Sequence, residues 1–188
     1  VAPAGWTTYQ LSVDLPAGAT NIYALAGTPS HAVGISTPLV LPAAFQAAPP
    51  FGVHVGGIDP AFFALAPESE YDSWITVGPT DGSAGAGLAA SPGLGLAAWT
   101  ADTGFATTDG AIFWMNPNDG PTGNGVVMAQ LTISDGDGPQ TMTGLTQGKA
   151  VGEDQHNMTR GATARTKSVC DLLMVRLADH GREEAAAQ

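Results

Sequence analysis

Positive charge is what this chain most lacks. The first Lys or Arg is Lys149, so residues 1–148 carry 11 acids and no base, a net charge of −11. A globular stretch of that length ordinarily holds roughly fifteen to twenty bases. A surface without cations cannot neutralise phosphates, which excludes nucleic-acid binding by this region. Anionic membrane surfaces are equally poor partners. Cations and basic protein surfaces are the fitting ones. Residues 149–188 hold six bases and six acids, so the whole imbalance sits on the first segment. Cysteine is nearly absent too. Cys170 stands alone, and no internal disulfide can form. No apolar run approaches the roughly 18 residues that span a bilayer. There is no G-x-S-x-G elbow, no phosphate-binding G-x-x-x-x-G-K-[ST], and no G-x-G-x-x-G opening a helix.

Long helical periodicity is also missing, and short alternating runs stand in its place. The 25 Gly and 14 Pro among 188 residues imply many turns. Between residues 6 and 15, Tyr9, Leu11, Val13 and Leu15 alternate with Thr8, Gln10, Ser12 and Asp14, the pattern of a half-buried strand. Asn21 to Ala26 is a second strand anchored by Ile22 and Leu25. Residues 71–78 (YDSWITVG) read as a strand, a further one falls near 94–99, and 141–147 reads as the last. Residues 111–115 and 126–133 are two more, expected as a hairpin around a polar loop. In the second of these, Val127, Ala129, Leu131 and Ile133 should face one side. Prolines 29, 38, 42, 49, 50 and 60 deny residues 28–60 a central strand or a long helix. Pro60 at a first helical position with Asp59 as cap fits one helical turn over 58–64. Seven or eight short strands predict an all-β fold, an antiparallel β-sandwich, with a jelly-roll or a closed barrel as alternatives.

The tail changes character. Residues 152–167 are polar and read as a linker between a domain at 1–151 and a C-terminal segment at 168–188. There Cys170, Leu173, Met174 and Leu177 fall at helical spacing behind a Ser168 cap, predicting an apolar helix over 169–180 that Gly181 ends. So short a helix is marginal alone in water and must dock, on its own domain or on a partner. Asn157-Met158-Thr159 is a glycosylation sequon. A first residue that is not Met suggests a removed leader, or a start after a disordered stretch.

Four phrases taken together carry a resemblance: Pro50-Phe51-Gly52, residues 59–64 (DPAFFA), residues 71–78 (YDSWITVG) and residues 109–114 (DGAIFW). Over about residues 6–150 the chain resembles a poorly characterised domain, often repeated, of secreted or luminal proteins of algae, other protists and some surface-living bacteria. The resemblance implies a β-rich domain of extracellular or luminal structures and brings no catalytic residues. The tail after about Glu153 departs from it.

Candidate chemistry is sparse. His31, His54, His156, His180 and Cys170 show no zinc-ligand spacing. Glu68, Glu70 and Asp72 are the acids from which a glycoside hydrolase pair would be drawn. Calcium wants six to eight oxygens, and Asn116, Asn118, Asp119 and Asn124 in one loop with Asp135 and Asp137 in the next turn could supply them, although no EF-hand spacing is present. The same residues also suit turn geometry. Trp6, Trp74, Trp99 and Trp114 would stack on sugars if exposed and fill the core if not. The expectation is a non-catalytic structural, linking or accessory subunit that acts by protein–protein contact in an extracellular or organelle-lumen assembly. A luminal subunit of an algal photosynthetic membrane complex is one concrete form. A calcium-dependent carbohydrate-binding module is the alternative and needs an exposed Trp beside the 116–124 loop. A hydrolase is third.

Overall fold

A computed structural model describes residues 3–15, 17–29, 36–83, 87–150 and, as a strand, 168–177. Among these residues the fold is all-β, with two antiparallel sheets and helical character confined to three short 3-10 turns. The smaller sheet places β8 (Val126–Ser134) between β1 (Trp6–Val13) and β4 (Trp74–Ile75). The larger runs β5 (Leu88–Ala90), β7 (Gly110–Trp114), β2 (Ala19–Gly27), β9 (Gln140–Ala150), β3 (Leu39–Leu41), β6 (Phe105–Thr107), with β10 (Ser168–Leu177) added along β9. One core draws on both: Leu11, Ile75, Met128 and Leu131 from the smaller sheet, Leu25, Leu39, Ile112 and Met142 from the larger.

The alternation in β1 holds, with Leu11 buried and Tyr9, Val13 and Leu15 packed at the margin of the core. Elsewhere bulges shift the phase. Leu11 pairs with Ala129 but Ser12 with Val127, so Met128 is an extra residue on β8. A bulge rotates the following side chains to the other face. Met128 and Val126 therefore join Ala129, Leu131 and Ile133 in the core, in place of the expected Val127. A second bulge, at Tyr23, puts Ile22 and Leu25 on one face although they are three apart.

Four expected elements are corrected. The runs at 111–115 and 126–133 are not a hairpin, because β7 and β8 lie in different sheets and the loop between them crosses from one to the other. The strand at 71–78 is reduced to β4, preceded by a 3-10 turn at Pro67–Tyr71. The region 94–99 holds a 3-10 turn, Leu96–Ala98, because Gly95 at φ 74° breaks extended backbone just before it; the strand lies earlier, at β5. Pro38 and Pro42 do flank a strand, the three-residue β3, which pairs with β6 and β9. The helical turn capped by Asp59 is present over Pro60–Phe62, with Ala61 N–H donating to Asp59 Oδ1 at 2.9 Å.

The helix expected over 169–180 is not shown. Ser168–Leu177 pairs with β9 instead, in unbroken register from Ser168↔Lys149 to Leu177↔Gln140. Residues 145–149 of β9 pair with β2 on one edge and β10 on the other. Without β10 that second edge of β9 would leave a row of backbone groups unpaired. Ten ladder pairs outweigh the weak propensity of a three-turn helix. Cys170, Leu173, Met174 and Leu177 therefore belong to a strand paired with β9 and not to a docking helix. The 152–167 linker and the Asn157 sequon lie outside the described residues.

Candidate functional site: the crossing loop and an exposed apolar knuckle

Two places stand out, and each is built by a short loop held from several sides. The first is the loop from Met115 to Gly125 that carries the chain from β7 to β8. Its own turn is closed by Asn116, whose Oδ1 accepts from Asn118 N–H at 3.1 Å and whose Nδ2 donates to Asp119 Oδ1 at 3.0 Å. The larger sheet anchors it. Buried Asn21 donates through Nδ2 to the Pro117 carbonyl at 2.7 Å and accepts from Lys149 N–H at 3.0 Å. Ile22 N–H donates to the Pro121 carbonyl at 3.1 Å. On the other flank, Gly125 N–H donates to Asp14 Oδ1 at 2.9 Å. Gly120 is required by closeness: a Cβ there would overlap the Ile22 carbonyl oxygen.

Against this loop lies an open surface hollow of about 360 Å³. Trp114, Pro79 and Pro121 give it apolar walls, and Asp119, Thr122 and Asn124 give it polar ones. Trp114 is half-buried, and its Nε1–H donates to the Val77 carbonyl at 2.9 Å, which fixes the ring. Gly78 sits at φ 103°, and a side chain there would press on Pro121. The Trp beside the 116–124 loop is thus Trp114, half-buried where the carbohydrate-binding alternative needs an exposed one. Of the others, Trp74 and Trp99 are buried, and Trp6 packs edge-on against Phe45 with ring centroids 6.0 Å apart.

The proposed calcium ligands are not gathered. Asp135 and Asp137 lie in the turn after β8, and the 116–124 loop precedes that strand, so nine residues of extended chain separate the two groups. Asp135 Oδ1 accepts from Thr7 Oγ1 at 2.7 Å. The Lys149 ammonium donates to Asn118 Oδ1, placing a cation where a metal ligand was expected. Among the described residues no three His, Cys, Asp or Glu side chains are grouped as metal ligands.

The second place is the segment 59–70. After the Asp59 cap, the carbonyls of Asp59, Pro60 and Phe62 accept from the amides of Phe62, Phe63, Leu65 and Ala66, and buried Ser69 Oγ donates to the Ala66 carbonyl at 2.6 Å. This knuckle is closed by its own hydrogen bonds yet turned outward: Phe62 is 44% exposed and Leu65 74%. Phe51 lies against Phe62 at 6.0 Å between ring centroids. Asp59, Glu68 and Glu70 are exposed around it.

Asp72 holds the knuckle's base. Its carboxylate is fully buried and accepts from Ala47 N–H and Val53 N–H, both at 2.7 Å, tying the proline-rich loop to the start of β4. Burial pushes this carboxyl up to about 6, against the pull of the backbone amides. Gln130 Nε2 donates to the carbonyls of Glu70 and Asp72 at 3.0 and 2.9 Å. The three acids considered for glycoside hydrolysis are thereby divided, with Glu68 and Glu70 in solvent and Asp72 spent on two amides. His54 Nδ1 lies 2.9 Å from Gln46 Oε1, and burial lowers its pKa, so the ring is neutral at pH 7. His31, His156 and His180 lie outside the described residues. Among the described residues no helix is long and apolar enough to cross a membrane.

Sequence reasoning missed the roles of Asp72 and of Pro79. An aspartate directly before an apolar run was a signal for the first, since a charge at a strand entrance is either solvated or buried and bonded. Comparison with family models, with curated proteins and with solved structures finds no match.

Proposed function

We propose that this protein is a non-catalytic contact subunit, a β-sandwich whose two sheets face one another and whose knuckle at 59–70 docks on a partner protein in an extracellular or organelle-lumen assembly. The observation that carries this reading is the exposure of Phe62 and Leu65 on a hydrogen-bonded, preorganised turn. A backbone turn already closed by hydrogen bonds loses little further entropy when it binds. An apolar centre with a polar rim is the anatomy of a protein interface. The rim here is acidic, and nothing in residues 1–148 is basic. Two such bodies repel, so a second copy of the body is a poor occupant. The fitting partner is a different protein with an apolar recess bordered by Lys and Arg.

The test is co-migration of the protein with its assembly after gentle lysis of the native source. Phe62→Ser with Leu65→Ser should release the protein from the assembly. Because both side chains are exposed, folding stability should change by no more than about 0.5 kcal/mol for each. Wild-type protein migrating alone, or a double variant that still co-migrates, would overturn the proposal.

A further inference from the structure

We propose that the cavity between the crossing loop and Pro79 is a calcium-independent binding site for a neutral saccharide. The argument rests on what lines it and on how firmly the lining is held.

A sugar ring presents two kinds of surface: a face of C–H groups and a rim of hydroxyls. The face needs an aromatic plane, whose negative π-cloud attracts the weakly positive C–H groups. Trp114 is the aromatic residue that lines the hollow, and its bond to the Val77 carbonyl holds the indole in place. Pro79 and Pro121 extend the apolar wall without offering donors that a hydroxyl would have to satisfy. The hydroxyl rim needs groups that both donate and accept. Thr122 and Asn124 do both, and neither side chain has a partner among the described residues. Asp119 keeps acceptor capacity beyond the one bond that Asn116 makes to it.

Affinity for so small a guest depends on walls that need no ordering. Here the loop is fixed from the larger sheet by Asn21 and Ile22, from β1's end by Asp14, and within itself by Asn116. The sign of charge narrows the ligand class. A carboxylate or sulfate on the sugar would meet Asp119 and a body of charge −11. A neutral sugar meets no such penalty. No metal is needed, because the polar groups already face the cavity and the Lys149 ammonium occupies Asn118.

The experiment titrates the full chain with cellotriose, maltotriose, xylotriose and mannotriose, using tri-galacturonate as the anionic control, by calorimetry and by amide and indole NMR shifts. At least one neutral trisaccharide should saturate with a Kd of roughly 0.1–10 mM. Shifts should cluster on the Trp114 indole, Pro79's neighbours and residues 119–127. Excess EDTA should leave the isotherm unchanged. Trp114→Ala should abolish binding. Since that indole is half-buried, Asn124→Ala, on an exposed side chain, is the second variant and should weaken binding about tenfold with unchanged unfolding temperature. Failure of all four neutral sugars at about 20 mM, twice the top of the expected range, would overturn the proposal. So would shifts elsewhere on the surface, loss of binding in EDTA, an equal affinity for tri-galacturonate, or an Asn124→Ala isotherm like the wild type's. None of these outcomes bears on the knuckle, which is judged by co-migration.

Discussion

Replacing Asp72 by a side chain of the same shape that cannot titrate should remove a dependence of stability on pH that runs opposite to the ordinary one. Most buried, hydrogen-bonded carboxylates have depressed pKa values and stabilise a protein as pH rises. Asp72 is placed the other way, because burial outweighs its bonds to Ala47 and Val53 and lifts its carboxyl from 3.8 to about 6. Between those values the folded chain holds a proton that the unfolded chain has lost. The group's contribution is therefore most favourable below the unfolded value and is lost as pH rises through about 6. A gap of that size is worth about 3 kcal/mol. Asp72→Asn cannot titrate, and its single carbonyl oxygen leaves one of the two amides without an acceptor, an offset of about 1–3 kcal/mol that does not vary with pH. The measurable quantity is the difference in unfolding free energy between the two proteins, from urea titrations at pH 4 and pH 7. The other carboxylates are common to both and cancel. The wild type's margin over Asp72→Asn should shrink by about 2 kcal/mol from pH 4 to pH 7, because part of the full contribution is already lost at pH 4. A constant margin, or one that grows, would show that the two amides outweigh burial and that the carboxyl is not raised at all.

Trp99 is 1% exposed and donates from Nε1 to the Pro42 carbonyl at 2.7 Å, so Trp99→Phe should cost about 1–3 kcal/mol in urea unfolding, and Trp99→Ala about 3–5. Gly120→Ala should push the crossing loop off Ile22, lowering stability by about 1–3 kcal/mol and weakening saccharide binding together; loss of stability with intact binding would separate the loop from the cavity.

The strand content was legible because period-two alternation is a local property, and β1 shows it from Tyr9 to Val13 with few interruptions. What alternation does not carry is which sheet a strand joins. Residues 111–115 and 126–133 with turn residues between them have the local signature of a hairpin, yet β7 pairs with β2 and β5 while β8 pairs with β1 and β4. Bulges are similarly hidden, since the insertion of Met128 is defined only by the partner strand. At the tail, helical and strand periodicities coexist in ten residues, and pairing with β9 decides between them. The turn at Asp59 was legible from its cap and its proline. Its exposure was not, because Phe62, Phe63 and Leu65 read as core to any rule based on hydrophobicity alone.

The misread hairpin and the cavity have one cause. A hairpin loop would have needed only its own turn residues and would have projected into solvent. A loop that changes sheets must instead run close to backbone from both sheets. That is why Gly120 abuts the Ile22 carbonyl, why Gly78 abuts Pro121, and why Asn21 spends a buried amide on Pro117. The same crossing brings Pro79, from just after β4, opposite Thr122 and Asn124. Along this path Asn116 bonds Asp119 and Asn118 meets Lys149, and the hollow beside Trp114 is what the path leaves open. Mutations that loosen the crossing at Asn21 or Gly120 should therefore damage the hollow before they unfold the sheets.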